Sequence, residues 1–144
     1  MLKCLTRFWL CATLVFTAMP SSAAELLPQD AKAVRGVVQA QLSAMAAGDA
    51  AAAFSYASPA IRAQFGDAKR FMAMVQRAYP MVIKPAATSY FRPEAGDGVV
   101  VQDVLLRDAA GRVWRASYQL ERQADKRWRI NGCVVTPDDG KSST

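Results

Sequence analysis

The chain reads as an α+β domain, with amphipathic helices in its first half and an antiparallel β-meander in its second. Three observations predict this. Apolar residues recur at helical spacing between Gln29 and Ala78, with capping residues at the breaks. After Pro80 the pattern changes to runs of alternating side chains separated by turn residues. Two successive strand turns, placed independently, then put the same side chains on one face of the sheet, which is the order expected of helices layered on a meander.

The first helix spans Gln29 to Ala47. Val34, Val37, Val38, Leu42 and Met45 share a face, Pro28 stands near the start and Gly48 follows the end. Asp49 caps a short helix through Ala57, with Ala50, Ala53, Phe54 and Ala57 on one side. Ser58 followed by Pro59 is an N-cap with proline at the first helical position, opening another short helix to Phe65. Gly66 ends it, and Asp67 caps a fourth helix whose stripe is Phe71, Met74, Val75 and Ala78 before Pro80.

Beyond Pro80, Val82 and Ile83 are β-branched and Ala87 to Arg92 looks extended. Val99 to Arg107, Val113 to Arg122 and Arg127 to Val135 are strands. A turn centred on Ala110 pairs Leu106 with Trp114, Val104 with Ala116, Gln102 with Tyr118 and Val100 with Leu120. A turn centred on Ala124 pairs Leu120 with Trp128, Tyr118 with Ile130, Ala116 with Gly132 and Trp114 with Val134. The face toward the helices then presents Trp114, Tyr118, Leu120, Trp128, Ile130 and Val134. The opposite face carries Arg115, Ser117, Gln119, Glu121, Arg127, Arg129, Asn131 and Cys133, with Glu121 opposite Arg127 and Asp103 diagonal to Arg115. Val99, Val101 and Leu105 also fall on that second face, so its first strand is apolar on both sides and calls for a cover, most economically a second subunit. Asn131-Gly132 is a hairpin signal, but a turn there leaves too short a returning strand, and a bulge or close packing at Gly132 is preferred.

Residues 1–24 stand apart from this domain. Lys3 and Arg7 precede an uncharged run of 12 residues, Phe8 to Met19, and Pro20-Ser21-Ser22-Ala23-Ala24 supplies small residues. The run is short of the roughly 20 residues that span a bilayer and reads as a secretory signal peptide cleaved after Ala24, with no stable membrane insertion afterwards. The expected location is periplasmic or secreted. Residues 25–136 form the single domain, and 137–144 a flexible C-terminal tail.

Composition excludes several chemistries. The 144 residues hold 18 Lys plus Arg, 12 Asp plus Glu, three Cys and no His. Without imidazole there is no Ser-His-Asp or Cys-His catalytic set and no His-ligated metal, and three cysteines cannot build a four-cysteine zinc site. Cleavage would remove Lys3 and Arg7, taking the 18 basic residues to 16 against 12 acidic ones, a net +4. It would also remove Cys4 and Cys11, leaving Cys133 alone and the domain held by its core.

The stretches Ser58-Pro59-Ala60-Ile61-Arg62 with Phe65-Gly66, Arg70-Phe71-Met72-Ala73-Met74-Val75 through Ala78-Tyr79-Pro80, and Arg127-Trp128-Arg129-Ile130-Asn131-Gly132-Cys133 resemble the small exported bacterial proteins grouped as domain of unknown function 4864. The last block is also shared with domains similar to nuclear transport factor 2. The resemblance covers Asp30 to Val135 and implies a cone, nuclear transport factor 2-like or cystatin-like, with helices packed on a curved sheet around a pocket. It brings no established activity, because that fold hosts isomerases, dehydratases, binding proteins and dimerisation modules.

Gln102 beside Tyr118 is the leading polar pair for such a pocket, with Trp114 and Trp128 as candidate walls. Asp103 near Arg115 points away from it and reads as a surface ion pair rather than a general base. Cys133, opposite Arg115 in the expected register, reads as a small packing residue. Seven basic residues between Arg107 and Arg129 fall largely on one solvated face, and export argues against nucleic acid as a partner. No catalytic residue, metal ligand or cofactor is assigned. The function expected is non-enzymatic binding of a small ligand or an envelope protein, with a homodimer through the sheet. The alternative is a small isomerase or lyase using a carboxylate/tyrosine pair in the cone pocket.

Overall fold

A computed structural model describes residues 25–140. The expected signal peptide and its cleavage site lie outside the described residues. Helices α1 (Pro28–Ala46), α2 (Ala50–Ser55), α3 (Pro59–Phe65) and α4 (Ala68–Ala78) precede strands β1 (Ala87–Tyr90), β2 (Glu94–Gly96), β3 (Val99–Arg107), β4 (Val113–Arg122) and β5 (Trp128–Pro137). The architecture is α+β, as predicted. No helix among the described residues is long and apolar enough to cross a membrane.

Capping sets the helix starts. The side chains of Asp49, Ser58 and Asp67 accept from the N–H groups of Ala52, Ile61 and Arg70, each satisfying a donor that the first turn leaves free. Val82, although β-branched, belongs to a 3₁₀ turn, Pro80–Val82, in which Ile83 N–H donates to the Pro80 carbonyl. Proline fixes φ for the turn, and local i→i+3 bonding outweighs the β preference of two branched residues.

The sheet runs β1-β3-β4-β5, with β2 also paired to β3. β1 covers the Val104–Arg107 end of β3 and β2 the Val99–Val101 end. Pro93, which has no N–H for a ladder, stands in the break between them. The lateral edge of β3 is therefore covered from within the chain. Strand β2 was not foreseen. It returns to β3 through Asp97 and Gly98, both at positive φ (49° and 77°), the Asp-Gly hairpin signal.

The β3–β4 register matches the expectation residue for residue, from Val100 opposite Leu120 to Leu106 opposite Trp114. The β4–β5 register does not. Leu120 faces Ile130 and Arg122 faces Trp128, a slip of two residues, and between Gln119 and Leu120 the register shifts again so that Tyr118 faces Cys133 and Ala116 faces Val135. The two-residue slip arises because the turn centres on Asp125. Lys126 adopts a left-handed φ of 66°, Gln123 N–H donates to the Arg127 carbonyl, and Asp125 accepts from Arg127 N–H. The second shift is a bulge, with Asn131 as the extra residue beside Gly132. Its parity is odd, so it reverses the faces of everything after it. Cys133 and Val135 point to the helix side, whereas Val134, expected in the core, is 56% exposed.

The core lies between the helices and the even-numbered face of β3 and β4. Val34, Val38, Val104, Leu106, Ala116 and Leu120 are fully buried or nearly so. Strand β5 runs to Pro137, and Asp138 beyond it donates its N–H to the Val113 carbonyl; residues 141–144 of the expected tail lie outside the described residues.

Candidate functional site

A cavity of about 290 Å³ opens between α3, α4 and the β5 side of the sheet. Helix α3 contributes Ile61 and Phe65, with exposed Gln64 at the rim, and α4 contributes Phe71, Met74 and Val75. Tyr79 and Val82 close one end. Tyr118, Ile130, Gly132, Cys133 and Val135 form the sheet wall, and Gln41 of α1 and Ala57 complete it. Phe65 meets Phe71 edge-on at 5.6 Å, and Phe71 meets Phe54 at 5.5 Å, which fixes the aromatic wall.

The geometry follows from how the α2–α3 joint is tied to β5. Ile130 N–H donates to the Tyr56 carbonyl at 2.8 Å, and Ser58 N–H donates to the Ile130 carbonyl at 2.8 Å. The Ser58 hydroxyl, besides capping α3, donates to Asn131 Oδ1 at 2.8 Å, and Asn131 Nδ2 donates to Glu121 Oε1 at 2.9 Å. The bulge residue is thus held on two sides. That clamp positions α3 over the sheet and turns Cys133 and Val135 toward the cavity.

Tyr118 is 2% exposed, and burial pushes its hydroxyl well above the ordinary phenol range, with Cys133 beside it adding to the effect. Burial likewise pushes the Cys133 thiol up to about 12, against a hydrogen bond with Tyr118 that lowers it. Both groups are protonated, neutral hydrogen-bonding groups at physiological pH. Gln41, 2% exposed, donates through Nε2 to the Ala53 carbonyl at 3.1 Å.

Of the four side chains singled out from the sequence, the structure places only Tyr118 in this wall. Gln102 is fully buried elsewhere: its Nε2 donates to the Phe91 carbonyl at 2.7 Å and to the Asp103 carbonyl at 2.9 Å, serving the backbone where β1 gives way to Pro93, while Oε1 has no partner among the described residues. Trp114 donates through Nε1 to Asp108 at 3.2 Å and sits under Arg112, beside the 3₁₀ turn. Trp128 lies under Arg122, its cross-strand partner. The slip in β5 explains the last placement, because it moves Trp128 opposite Arg122 rather than Leu120. Cys133 moves the same way along β4, one residue further because of the bulge, from beside Arg115 to beside Tyr118. Gln41, Phe65, Phe71 and Met74 join the site through packing between elements; each was legible only as part of a helix.

Asp103 and Arg115 pair at 3.2 Å on the opposite sheet face. Arg115 also pairs with Asp138 at 2.9 Å and stacks on Phe91 at 4.9 Å. Partial burial works against its charge, but bonding to the two carboxylates more than offsets this and raises its pKa. Glu121 faces Arg129 rather than Arg127 and is bonded by Asn131.

Helices closing one face of an antiparallel sheet over an apolar, charge-free cavity define an α+β domain of the pocketed kind. Residues 27–143 match the family model described as Domain of unknown function (DUF4864), and the chain belongs to that family. It is also similar to a solved structure described as an NTF-2 like protein of unknown function from Burkholderia xenovorans LB400, at 16% identity over 78% of this chain and 88% of that one, with a TM-score of 0.49. No curated protein matches the chain.

Proposed function

We propose that this domain is an exported, non-enzymatic binding module that takes a small, mainly apolar molecule into the cavity beside Tyr118. The observation that carries the reading is the lining itself: a preformed space of about 290 Å³ walled by aliphatic and aromatic side chains, with a few neutral polar groups. Binding sites combine these features, and the volume lies between the roughly 150 Å³ of an engineered cavity that accepts benzene and the upper range of drug-sized sites. The isomerase or lyase alternative needs a carboxylate near Tyr118. Among the described residues the lining contains no Asp or Glu, and Asp103 is engaged by Arg115 on the far face of the sheet. A homodimer through that far face is the second part of the proposal, supported by half-buried Val99, Val101 and Leu105 and by Phe91, which is 43% exposed.

Native mass spectrometry of protein purified from its own envelope fraction tests both parts together. The expected result is a dimer carrying a small molecule that is absent from Val135→Phe, a variant that fills the cavity. A ligand-free wild type that also fails to bind any member of a fragment library rejects the binding module, and a monomer at micromolar concentration rejects the dimer.

A further inference from the structure

Among the described residues, the cavity just proposed as a binding site has no charged side chain in its lining, although the chain carries an excess of basic residues. Its polar side-chain groups are the Tyr118 and Tyr79 hydroxyls, the Cys133 thiol, the Gln41 amide and, at the rim, Gln64. Gln41 is the informative one. It is 2% exposed, its Nε2 is committed to the Ala53 carbonyl, and among the described residues no donor reaches its Oε1. Solvent in the open cavity still reaches that oxygen, so a guest that covers it incurs a desolvation cost unless it supplies an N–H or O–H of its own.

We infer that the molecule held here is an uncharged amphiphile: a compact aliphatic or aromatic body against Phe65, Phe71 and Met74, with one hydroxyl or amide-type donor directed to Gln41 Oε1. The inference rests on the binding reading and narrows it to a ligand class. An ammonium would need a carboxylate to accompany it into the cavity, and a carboxylate would need an arginine, a lysine or several converging N–H groups. The lining provides neither set. The guanidinium of Arg62 on α3 lies over the Phe54 ring and is not in the lining. Tyr118 and Cys133 cannot substitute as anions, because burial keeps both protonated. What remains is neutral hydrogen bonding at one end and dispersion along the walls, which fixes orientation as well as charge.

The test uses the intact wild-type chain near neutral pH and four probes sharing one ring: cyclohexylmethanol, methylcyclohexane, cyclohexylmethylamine and cyclohexanecarboxylic acid, followed by calorimetry or ligand-observed NMR. The alcohol is expected to bind, with the charged amine and carboxylate at least about a hundredfold weaker. In Gln41→Met the alcohol is expected to lose its advantage over the hydrocarbon; the wild-type series decides the matter if that variant does not fold. A charged probe binding within tenfold of the alcohol overturns this inference and leaves the binding module standing. Failure of all four to bind counts against the binding module itself.

Discussion

Cys133 gives the sharpest prediction, because its environment depends on the bulge. In the register first expected, it faces Arg115 and its thiolate is favoured; in the structure it shares a face with Tyr118 and its thiol is pushed up from 9.0 to about 12. At pH 8 a shift of that size lowers the thiolate fraction roughly 900-fold, and the stronger nucleophilicity of a more basic thiolate returns about 16- to 32-fold. The net expectation is alkylation by iodoacetamide about 30- to 60-fold slower in the folded protein than in urea, before any steric slowing is counted. The assay is quenched alkylation followed by mass spectrometry of the peptide containing Cys133, which separates it from Cys4 and Cys11. A folded-state rate within threefold of the unfolded one, or one that levels off near pH 8, would refute the placement of Cys133 beside Tyr118.

Other outcomes follow from the same geometry. Asn131→Ala removes the acceptor of the Ser58 hydroxyl and a donor to Glu121, and should cost about 2–4 kcal/mol in urea unfolding; a loss below 0.5 kcal/mol contradicts the clamp. Alkaline pH should destabilise the fold. The raised Cys133 value means that the native state keeps a proton the unfolded chain releases, so its contribution is complete below about 9 and falls by about 1.4 kcal/mol per pH unit up to about 12. Cys133→Ala should flatten that part of the stability profile, and an unchanged slope argues against it. Arg115→Met leaves Asp103 and Asp138 facing each other without their cation and should cost about 1–3 kcal/mol, lessened by high salt; a neutral effect in dilute buffer contradicts that account.

Much of the fold is legible in the sequence because its signals are local. Ser58-Pro59, Asp67 and Gly66 mark helix ends by chemistry that acts within one turn, and the Asp108-Ala109-Ala110-Gly111 turn sets the β3–β4 register. The β4–β5 register is not local in this sense. Its turn relies on Lys126 in a conformation that glycine would announce and lysine does not, and the bulge at Asn131 is held by Ser58, 73 residues away. Asp97-Gly98 was a readable hairpin signal that the short length of β2 obscured. The site follows the same division. Tyr118 was found by alternation within one strand, whereas the lining from α3 and α4 and the inward turn of Cys133 arise from contacts between distant segments. Gln102 shares a face with Tyr118, but a shared face does not fix which backbone carbonyls a buried amide must serve.

The central claim is that the space beside Tyr118 receives a small neutral molecule. Methyl NMR of Met74, titrated with cyclohexylmethanol, tests it most directly. The account predicts a saturable shift of the Met74 methyl signal in the wild type that disappears in Val135→Phe. An unmoved Met74 signal at millimolar probe, or an equal shift in the filled variant, would contradict it.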